Sequence, residues 1–317
     1  MSNASLVVAA DGGNSKTDLV LATRAGERLA CVSGPGTHPQ DDGFAATAAD
    51  LAELTRAALA AAGRPDGTPV AAGAYYLANV DLPEDEEAMR TALAQHALAK
   101  RLEVGNDTFA VLEAGSRRGS GIAVVSGAGI NAAGQYPDGR RERFLGIGEL
   151  SGDWGGASSL SVTGIGAAVR AVDGRGPSTA LCDAVTAFFG ADPESVAVAA
   201  DRGVITRQQV LDFAPAVLAA ATDGDAVAIG IAHRLADEVV SFVQALVHRM
   251  DLADSDVEVI LGGGVLQARH AVLLDRIARG VHTVAARAQV HVLDVAPVEG
   301  ALASAVRLAG ATGRNRP

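Results

Sequence analysis

The chain has 317 residues, of which 49% are apolar, and it carries a formal net charge of −11. This length and apolar content favour two domains with sizeable cores, while the acidic balance argues against nucleic acid or an anionic membrane as a partner. Cys31 and Cys182 are far apart and form no metal or redox motif, and no segment approaches the roughly 20 apolar residues that span a bilayer, so we expect a cytoplasmic protein.

The first half of the chain reads as strands that alternate with helices. An apolar run at Leu6–Ala10 lacks the basic region of a signal peptide and leads into a glycine-rich turn and a second strand. Pro83 and the four acidic residues after it predict a helix start, because carboxylates favour the positive end of the helix dipole. The other predicted elements here are strands at 27–32, 70–74 and 102–104 and helices at 45–62 and 83–100.

The second half repeats this order. A hairpin at 121–134 is followed by a glycine-rich stretch at 146–156, and a strand at 257–261 runs into three glycines. Helices are predicted at 157–172, 178–189, 208–218, 225–250 and 300–308. One more helix is predicted after the three glycines, and a strand at 289–292 follows it. Three strands followed by alternating helices and strands occur twice, which predicts a duplicated α/β fold.

The two hairpins have the same kind of glycine-rich turn. In each, glycines and small hydroxyl or amide residues join two apolar strands, at Gly12–Thr17 in the first and at Ser126–Asn131 in the second. Turns of this kind expose rows of backbone N–H groups, which bind anions. Two such turns predict that the protein holds a polyphosphate from both sides.

Five segments together resemble the N-acetylglucosamine kinase group of the BadF/BadG/BcrA/BcrD ATPase family, within the sugar kinase, heat-shock ATPase and actin superfamily. They follow the family's order and spacing over most of the chain, and they are Asp11–Thr17, Gly105–Asp107, Ser126–Asn131, Gly152–Ala157 and Leu261–Val265. The resemblance implies an α/β fold of two ribonuclease-H-like (actin-like ATPase) domains, 1–116 and 117–317, around a central cleft that holds ATP with Mg²⁺. Related kinases often form dimers, so the resemblance also allows a homodimer.

The resemblance makes Asp11 the partner of hydrated Mg²⁺, a cation that keeps several waters and takes one or two carboxylates. A simple turn aspartate is the alternative. The β- and γ-phosphates would be held by the six residues that follow, Gly12, Gly13, Asn14, Ser15, Lys16 and Thr17. Lys16 would add a point charge to this loop or lie on the solvated surface.

Asp107 is predicted to be the general base. The family places its catalytic aspartate here, just after a strand, and phosphoryl transfer to an alcohol needs an acceptor for the hydroxyl proton. The alternative is an N-cap of a helix at 108–114, and the two roles are compatible.

The second loop departs from the family's common Gly-Thr-Gly, because Ala128 replaces the threonine and removes one hydroxyl donor. The phosphate contacts predicted here are Ser126 and the backbone of Gly127, Ala128 and Gly129. The alternative is that Gly129 and Asn131 only shape a tight hairpin.

A third glycine-rich segment lies late in the chain. Gly262, Gly263, Gly264 and Val265 resemble the family's adenosine loop, in which bare backbone lies flat against a purine. A plain strand-to-helix turn is the alternative.

The predicted sugar contacts are spread along the chain. They are Thr37, His38, Asn79, Asp107, Asn131, Gly152 and Asp153. Related kinases carry an asparagine beside the histidine, and its absence at Thr37 leaves the sugar undetermined. The alternative for His38 is an exposed loop residue. Asn79 and Asp81 would line the sugar side of the cleft, and the alternative is that they only form a turn. Trp154 is either an apolar platform for a sugar ring or a core anchor.

The resemblance therefore implies an ATP-dependent kinase that phosphorylates an amino sugar, with O6 of N-acetylglucosamine as the first candidate and glucosamine or a muramic acid derivative as others. An ATPase that activates a partner enzyme is a second hypothesis, but it would need clustered cysteines for an iron–sulfur centre. A non-catalytic sugar or nucleotide sensor is a third, supported by Ala128 and by the missing asparagine.

Overall fold

The computed structural model describes residues 5–310. The strands are β1 (Leu6–Gly12), β2 (Lys16–Thr23), β3 (Arg28–Pro35), β4 (Val70–Leu77), β5 (Leu102–Asn106), β6 (Gly121–Ser126), β7 (Ile130–Gln135), β8 (Arg141–Arg143), β9 (Glu258–Gly262) and β10 (Gln289–Val292). The helices are α1 (Pro39–Asp42), α2 (Phe44–Ala61), α3 (Pro83–Gln95), α4 (Asp107–Gly115), α5 (Gly156–Val172), α6 (Leu181–Phe189), α7 (Pro193–Asp201), α8 (Arg207–Leu211), α9 (Ala214–Thr222), α10 (Ala226–Arg249), α11 (Gly264–Gln267), α12 (Ala271–Val284) and α13 (Val298–Gly310), with a 3₁₀ turn at Gly148–Ser151.

The chain divides into two compact units. Of the described residues, unit 1 contains 5–120, 137–139 and 293–310, and unit 2 contains 121–136 and 140–292. This differs from the predicted domains 1–116 and 117–317, whose ends at 1–4 and 311–317 lie outside the described residues. The difference arises because α13 returns to unit 1 and packs on α4, β1 and β4. Gly300 permits this approach, since a Cβ there would lie 2.1 Å from the Ala110 carbonyl oxygen.

The two units contain sheets of the same topology. The sheet of unit 1 has the order β3-β2-β1-β4-β5, and that of unit 2 has the order β8-β7-β6-β9-β10. In each, the first three strands form an antiparallel meander, and the two later strands add parallel to the first. The predicted duplication is confirmed.

The sheet of unit 1 separates two layers of helices. Leu6, Val8 and Ala10 face a core that includes residues of α2 and α3. Because successive side chains alternate between the faces of a strand, Asp11 lies on the opposite face, which α4 and α13 cover. Tyr76 pairs in register with Asp11 and hydrogen-bonds Ser304 of α13 at 3.0 Å, which confirms this placement.

Two of the predicted helices have other bounds, and one helix is additional to those predicted. The predicted helix at 208–218 is split into α8 and α9, with Pro215 in the first turn of α9. Helix α7 was not predicted, although Asp192 caps it by accepting from the Ser195 N–H at 2.9 Å. Helix α3 ends at Gln95, before a left-handed Ala97 with φ of 50°, rather than near 100.

Within residues 5–310, no single helix has both the length and the apolar composition to cross a membrane. One bent pair, Arg207–Thr222 with Ala226–Arg249 at 112°, meets both criteria only when the two helices are taken together.

Candidate active site

The carboxyl ends of the parallel strands of unit 1 meet at one edge of the sheet. Gly12 pairs with Leu77, and Leu77 pairs with Asn106, so β1, β4 and β5 end side by side. The register therefore brings the residues around three strand ends together, although they lie far apart in the sequence. Asp11, the turn after β4 and Asp107 all lie at this edge.

Asp11 is partly buried at this edge among other carboxylates. It pairs directly with Asp18 across the β1–β2 hairpin, which places both side chains on one face. Burial, together with the charges of Asp107 and Asp18, raises the pKa of Asp11 to about 7, and the charge of Lys16 opposes them. Such crowding of negative charge is what a bound divalent cation relieves.

The donor set at Asp11 suits Mg²⁺. It offers carboxylate oxygens and no nitrogen or sulfur ligand from the neighbours named above. Across residues 5–310, no group of three or more His, Cys, Asp or Glu side chains is arranged to hold a metal ion by itself. A cation that takes most of its ligands from water and phosphate, as Mg²⁺ does, fits a site of this kind.

The tip of the β1–β2 hairpin turns its carbonyl groups toward residues 36–37. The Gly13 carbonyl accepts from the Thr37 N–H at 3.0 Å, and a Cβ on Gly36 would lie 2.1 Å from the Asn14 carbonyl oxygen. The C=O and N–H groups of a trans peptide point in opposite directions. The N–H groups of Asn14 and Ser15 therefore point away from this segment, as an anion-binding loop requires.

Two side chains predicted to contact phosphate have partners within unit 1. Thr17 is buried, and its Oγ1 donates to the Pro35 carbonyl at 2.6 Å, so the hydroxyl holds β2 to β3. Lys16 is 68% exposed and lies 2.7 Å from Asp18. Asp18 was not singled out in the sequence, although its position opposite Asp11 in a tight hairpin was a usable signal.

Asp107 begins α4 but does not cap it. The cap is Asn106, whose Oδ1 accepts from the Thr108 N–H at 3.0 Å. Burial raises the pKa of Asp107 to about 6, against the lowering effect of the backbone N–H groups of Thr108 and of Asp107 itself. A partly buried carboxylate with a pKa in this range is suited to accept a proton near neutral pH.

The sugar-side residues predicted in unit 1 lie next to the first loop, but most of their polar groups are engaged. Thr37 is buried, and its Oγ1 donates to the Gly12 carbonyl at 3.0 Å. Asn79 donates to Asn14 and to the Thr37 carbonyl, both at 2.9 Å. His38 is partly buried at the N-terminal end of α1, where its side chain makes no capping hydrogen bond.

Asp81 is held beside the turn that leads from β5 into α4. Its Oδ1 accepts from Asn106 Nδ2 at 2.8 Å, so one side of the residue that caps α4 is tied to the turn after β4. Because Asn106 directly precedes Asp107, this bond connects the turn after β4 to the start of α4.

The second loop orients its peptides in the same way as the first. The carbonyls of Gly127 and Ala128 accept from the first N–H groups of α5, those of Ala157 and Ser158, at 2.8 and 3.0 Å. The N–H groups of Ala128 and Gly129 consequently point away from α5. The loop thus retains oriented backbone donors although Ala128 lacks the hydroxyl.

The second loop and the predicted adenosine loop are adjacent within unit 2. Gly263 has a φ of 83°, and a Cβ there would lie 2.4 Å from the Ser126 carbonyl oxygen. The Ser126 hydroxyl is fully buried and has no hydrogen-bond partner among the described residues, so it lies beneath the loop surface. Val265 is also buried in the core, which leaves its backbone as the part that a nucleotide could contact.

The remaining predicted sugar residues lie elsewhere in unit 2. Asn131 lies on β7, and its Oδ1 accepts from the Ala132 N–H at 2.7 Å. Gly152 is left-handed, with φ of 83°, and Asp153 hydrogen-bonds Ser151 through its carboxylate. Trp154 packs against the core and carries the Arg234 guanidinium 4.0 Å from its ring centroid, which favours a structural anchor over an open sugar platform.

Comparisons with known proteins found a matching family model and a related kinase. The family model for "BadF/BadG/BcrA/BcrD ATPase family" matches residues 10–305. The N-acetylmuramic acid/N-acetylglucosamine kinase of Clostridium acetobutylicum is 26% identical over 263 residues, which cover 82% of this chain and 85% of that protein.

Solved structures support the fold assignment. A candidate N-acetylglucosamine kinase from Chromobacterium violaceum is 25% identical, with a TM-score of 0.75 over 95% of this chain and 99% of that one. A ROK family glucokinase from Streptomyces griseus, solved with glucose and AMPPNP, has a TM-score of 0.57 at 19% identity over 95% of this chain and 98% of that one. The fold is that of the actin-like ATPase class, as the motifs predicted.

Proposed function

This chain belongs to the BadF/BadG/BcrA/BcrD ATPase family, and from that premise we propose that it is an ATP-dependent carbohydrate kinase acting on an amino sugar. N-Acetylglucosamine, phosphorylated at O6, is the first candidate substrate. The same site chemistry serves glucosamine or N-acetylmuramic acid, the latter named for the Clostridium acetobutylicum relative. A cytoplasmic location follows as part of the proposal, because that is where ATP is available.

One observation carries the proposal. The register of β1, β4 and β5 sets Asp11, the anion-binding tip of the first hairpin and Asp107 at the same sheet edge. A cation partner, phosphate donors and a carboxylate of raised pKa are the groups that phosphoryl transfer to an alcohol requires.

Each group has a defined task in the reaction. Asp107 accepts the proton of the sugar hydroxyl as that oxygen attacks the γ-phosphorus, and ADP leaves with the electrons of the broken P–O bond. The N–H groups of Asn14 and Ser15 in unit 1 and of Ala128 and Gly129 in unit 2 are the proposed phosphate donors. Mg²⁺, when bound near Asp11, would neutralise phosphate charge.

The test is ADP release measured in a coupled assay with MgATP and a panel of amino sugars. We expect turnover with at least one of N-acetylglucosamine, glucosamine and N-acetylmuramic acid, and less with glucose. Hydrolysis of ATP without a sugar, at a rate that no sugar increases, would contradict the proposal. Phosphate mapping of the product by NMR would identify the acceptor oxygen.

A further inference from the structure

The amide of Asn79 joins two segments of unit 1. Asn79 follows β4 with φ of 61°, a left-handed conformation that asparagine tolerates better than most residues. Its Nδ2 donates to the Thr37 carbonyl and to Asn14 Oδ1, each at 2.9 Å. A carbonyl oxygen only accepts, so Thr37 determines which end of the amide faces it, and Asn14 must then present its oxygen.

These two bonds use both amide hydrogens of Asn79. A sugar hydroxyl would have to displace one of them to bind the same nitrogen. The two partners are instead Asn14, at the tip of the first loop, and Thr37, in the segment that the carbonyl groups of this loop face. The adjacent Ala78 N–H also donates to the Gly12 carbonyl, at 2.6 Å, so the turn after β4 holds the loop at its base as well as at its tip.

We propose that Asn79 is a positioning residue for the nucleotide. It holds the exposed tip residue Asn14 against residues 36–37, and so keeps the N–H groups of Asn14 and Ser15 aimed at the phosphates before ATP arrives. Donors that are already oriented bind without an ordering cost, whereas a loosened tip must be ordered by the ligand. This inference rests on the kinase proposal and gives Asn79 a role other than the predicted sugar contact.

The test is Asn79→Gly, with Ala97→Gly as its matched control. Glycine accepts the left-handed backbone at both positions, so each variant changes a left-handed residue in unit 1 to glycine, and only N79G loses the two hydrogen bonds. We expect the KM for MgATP to rise about tenfold in N79G and to stay at the wild-type value in A97G, with the KM for the sugar little changed. Thermal unfolding should show both variants folded.

Two results would overturn the inference. One is a KM for MgATP in N79G equal to that of A97G. The other is a raised KM for the sugar with an unchanged KM for MgATP, which would restore Asn79 as a sugar ligand. If N79G does not fold, Asn14→Ala removes one of the bonds from its other end. A KM for MgATP unchanged in N14A would then equally count against the inference.

A binding measurement separates this inference from the kinase proposal. Titration with Mg–AMPPNP needs no turnover, and here too N79G should bind about tenfold more weakly than A97G. A wild-type protein that binds Mg–AMPPNP but phosphorylates no sugar would refute the kinase proposal alone. Equal Mg–AMPPNP affinities in N79G and A97G would refute the role of Asn79 alone.

Discussion

Carboxylates at the sheet edge of unit 1 carry the proposed chemistry, and burial sets their pKa values. Asp107 is free to act as a base because Asn106 caps α4 in its place. Asp11 is held near two other acidic side chains, an arrangement that costs stability unless protons or a cation neutralise it. Function and stability therefore oppose each other at these positions.

Replacing Asp107 by Asn is expected to lower kcat by about 10²–10⁴-fold, because an amide cannot accept the proton of the sugar hydroxyl. The unfolding temperature should stay near that of the wild type, since the side chains match in size. Steady-state kinetics with a thermal scan measure both. Near-normal kcat in D107N would assign the base elsewhere.

The pH profile of kcat/KM should show an acid limb near pH 6. The pKa of Asp107 is raised to about 6, and only its ionised form accepts a proton, so activity falls as the pH drops below that value. The residual activity of D107N provides the control, because it should lack this limb. The same limb in D107N would assign it to another group.

Asp11 should make the metal-free protein less stable as the pH rises. Folding raises the pKa of Asp11 from 3.8 to about 7, so between these pH values the folded state binds a proton that the unfolded state has released. The stability that this proton contributes is lost as the pH rises through 7. Asp11→Asn removes this loss of stability. In thermal scans with EDTA, the unfolding temperatures of D11N at pH 5 and pH 8 should therefore differ less than those of the wild type. An unchanged difference between the two pH values would contradict the assignment.

At the scale of single elements, glycines decide how closely loops and helices approach one another. The predicted adenosine loop contacts the second loop, at residues 126–131, only because Gly263 has no side chain. Gly36 has the corresponding role at the first loop, where it lies against the Asn14 carbonyl. Both contacts join segments far apart in the sequence, so a glycine-rich motif alone cannot reveal its partner.

Gly263→Ala is expected to destabilise the protein by about 1–3 kcal/mol, because the new Cβ meets the Ser126 backbone and φ is left-handed. Gly203→Ala is the matched control, since its φ of 71° imposes similar strain but nothing lies within 4 Å of the added atom. Urea unfolding of the two variants isolates the effect of the clash. Equal losses would show that the loop yields without cost.

At the scale of the whole molecule, the end of the chain completes the unit that its beginning starts. Arg307 on α13 forms two hydrogen bonds with Glu113 on α4, at 2.7 and 3.1 Å, and the Glu113 side chain is only 3% exposed. A chain that returns in this way closes unit 1 around the face that bears Asp11. The last helix therefore supports the site without contributing a predicted site residue.

Arg307→Ala should lower the free energy of unfolding by about 1.5–3 kcal/mol, because the buried Glu113 carboxylate loses two hydrogen bonds from a charged donor. Arg276→Ala is the control. Its two bonds to Asp237, at 2.6 and 2.8 Å, lie on the surface, where such a pair contributes about 0–1 kcal/mol. Chemical denaturation measures both, and similar losses would show that the Arg307–Glu113 pair contributes no more to stability than a surface pair.

The sequence by itself determined the duplicated order of strands and helices, both hairpin loops and the family, because local apolar patterns and glycine turns encode them. Tertiary structure decided which side chains remain available at the site. Thr17 and Asn79 looked like ligand donors in the sequence, yet strand register and turn packing give their polar groups partners at Pro35, Asn14 and Thr37. Such partners lie tens of residues away, and only pairing between strands reveals them. The return of α13 to unit 1 was hidden for the same reason, since it depends on contacts between the two ends of the chain.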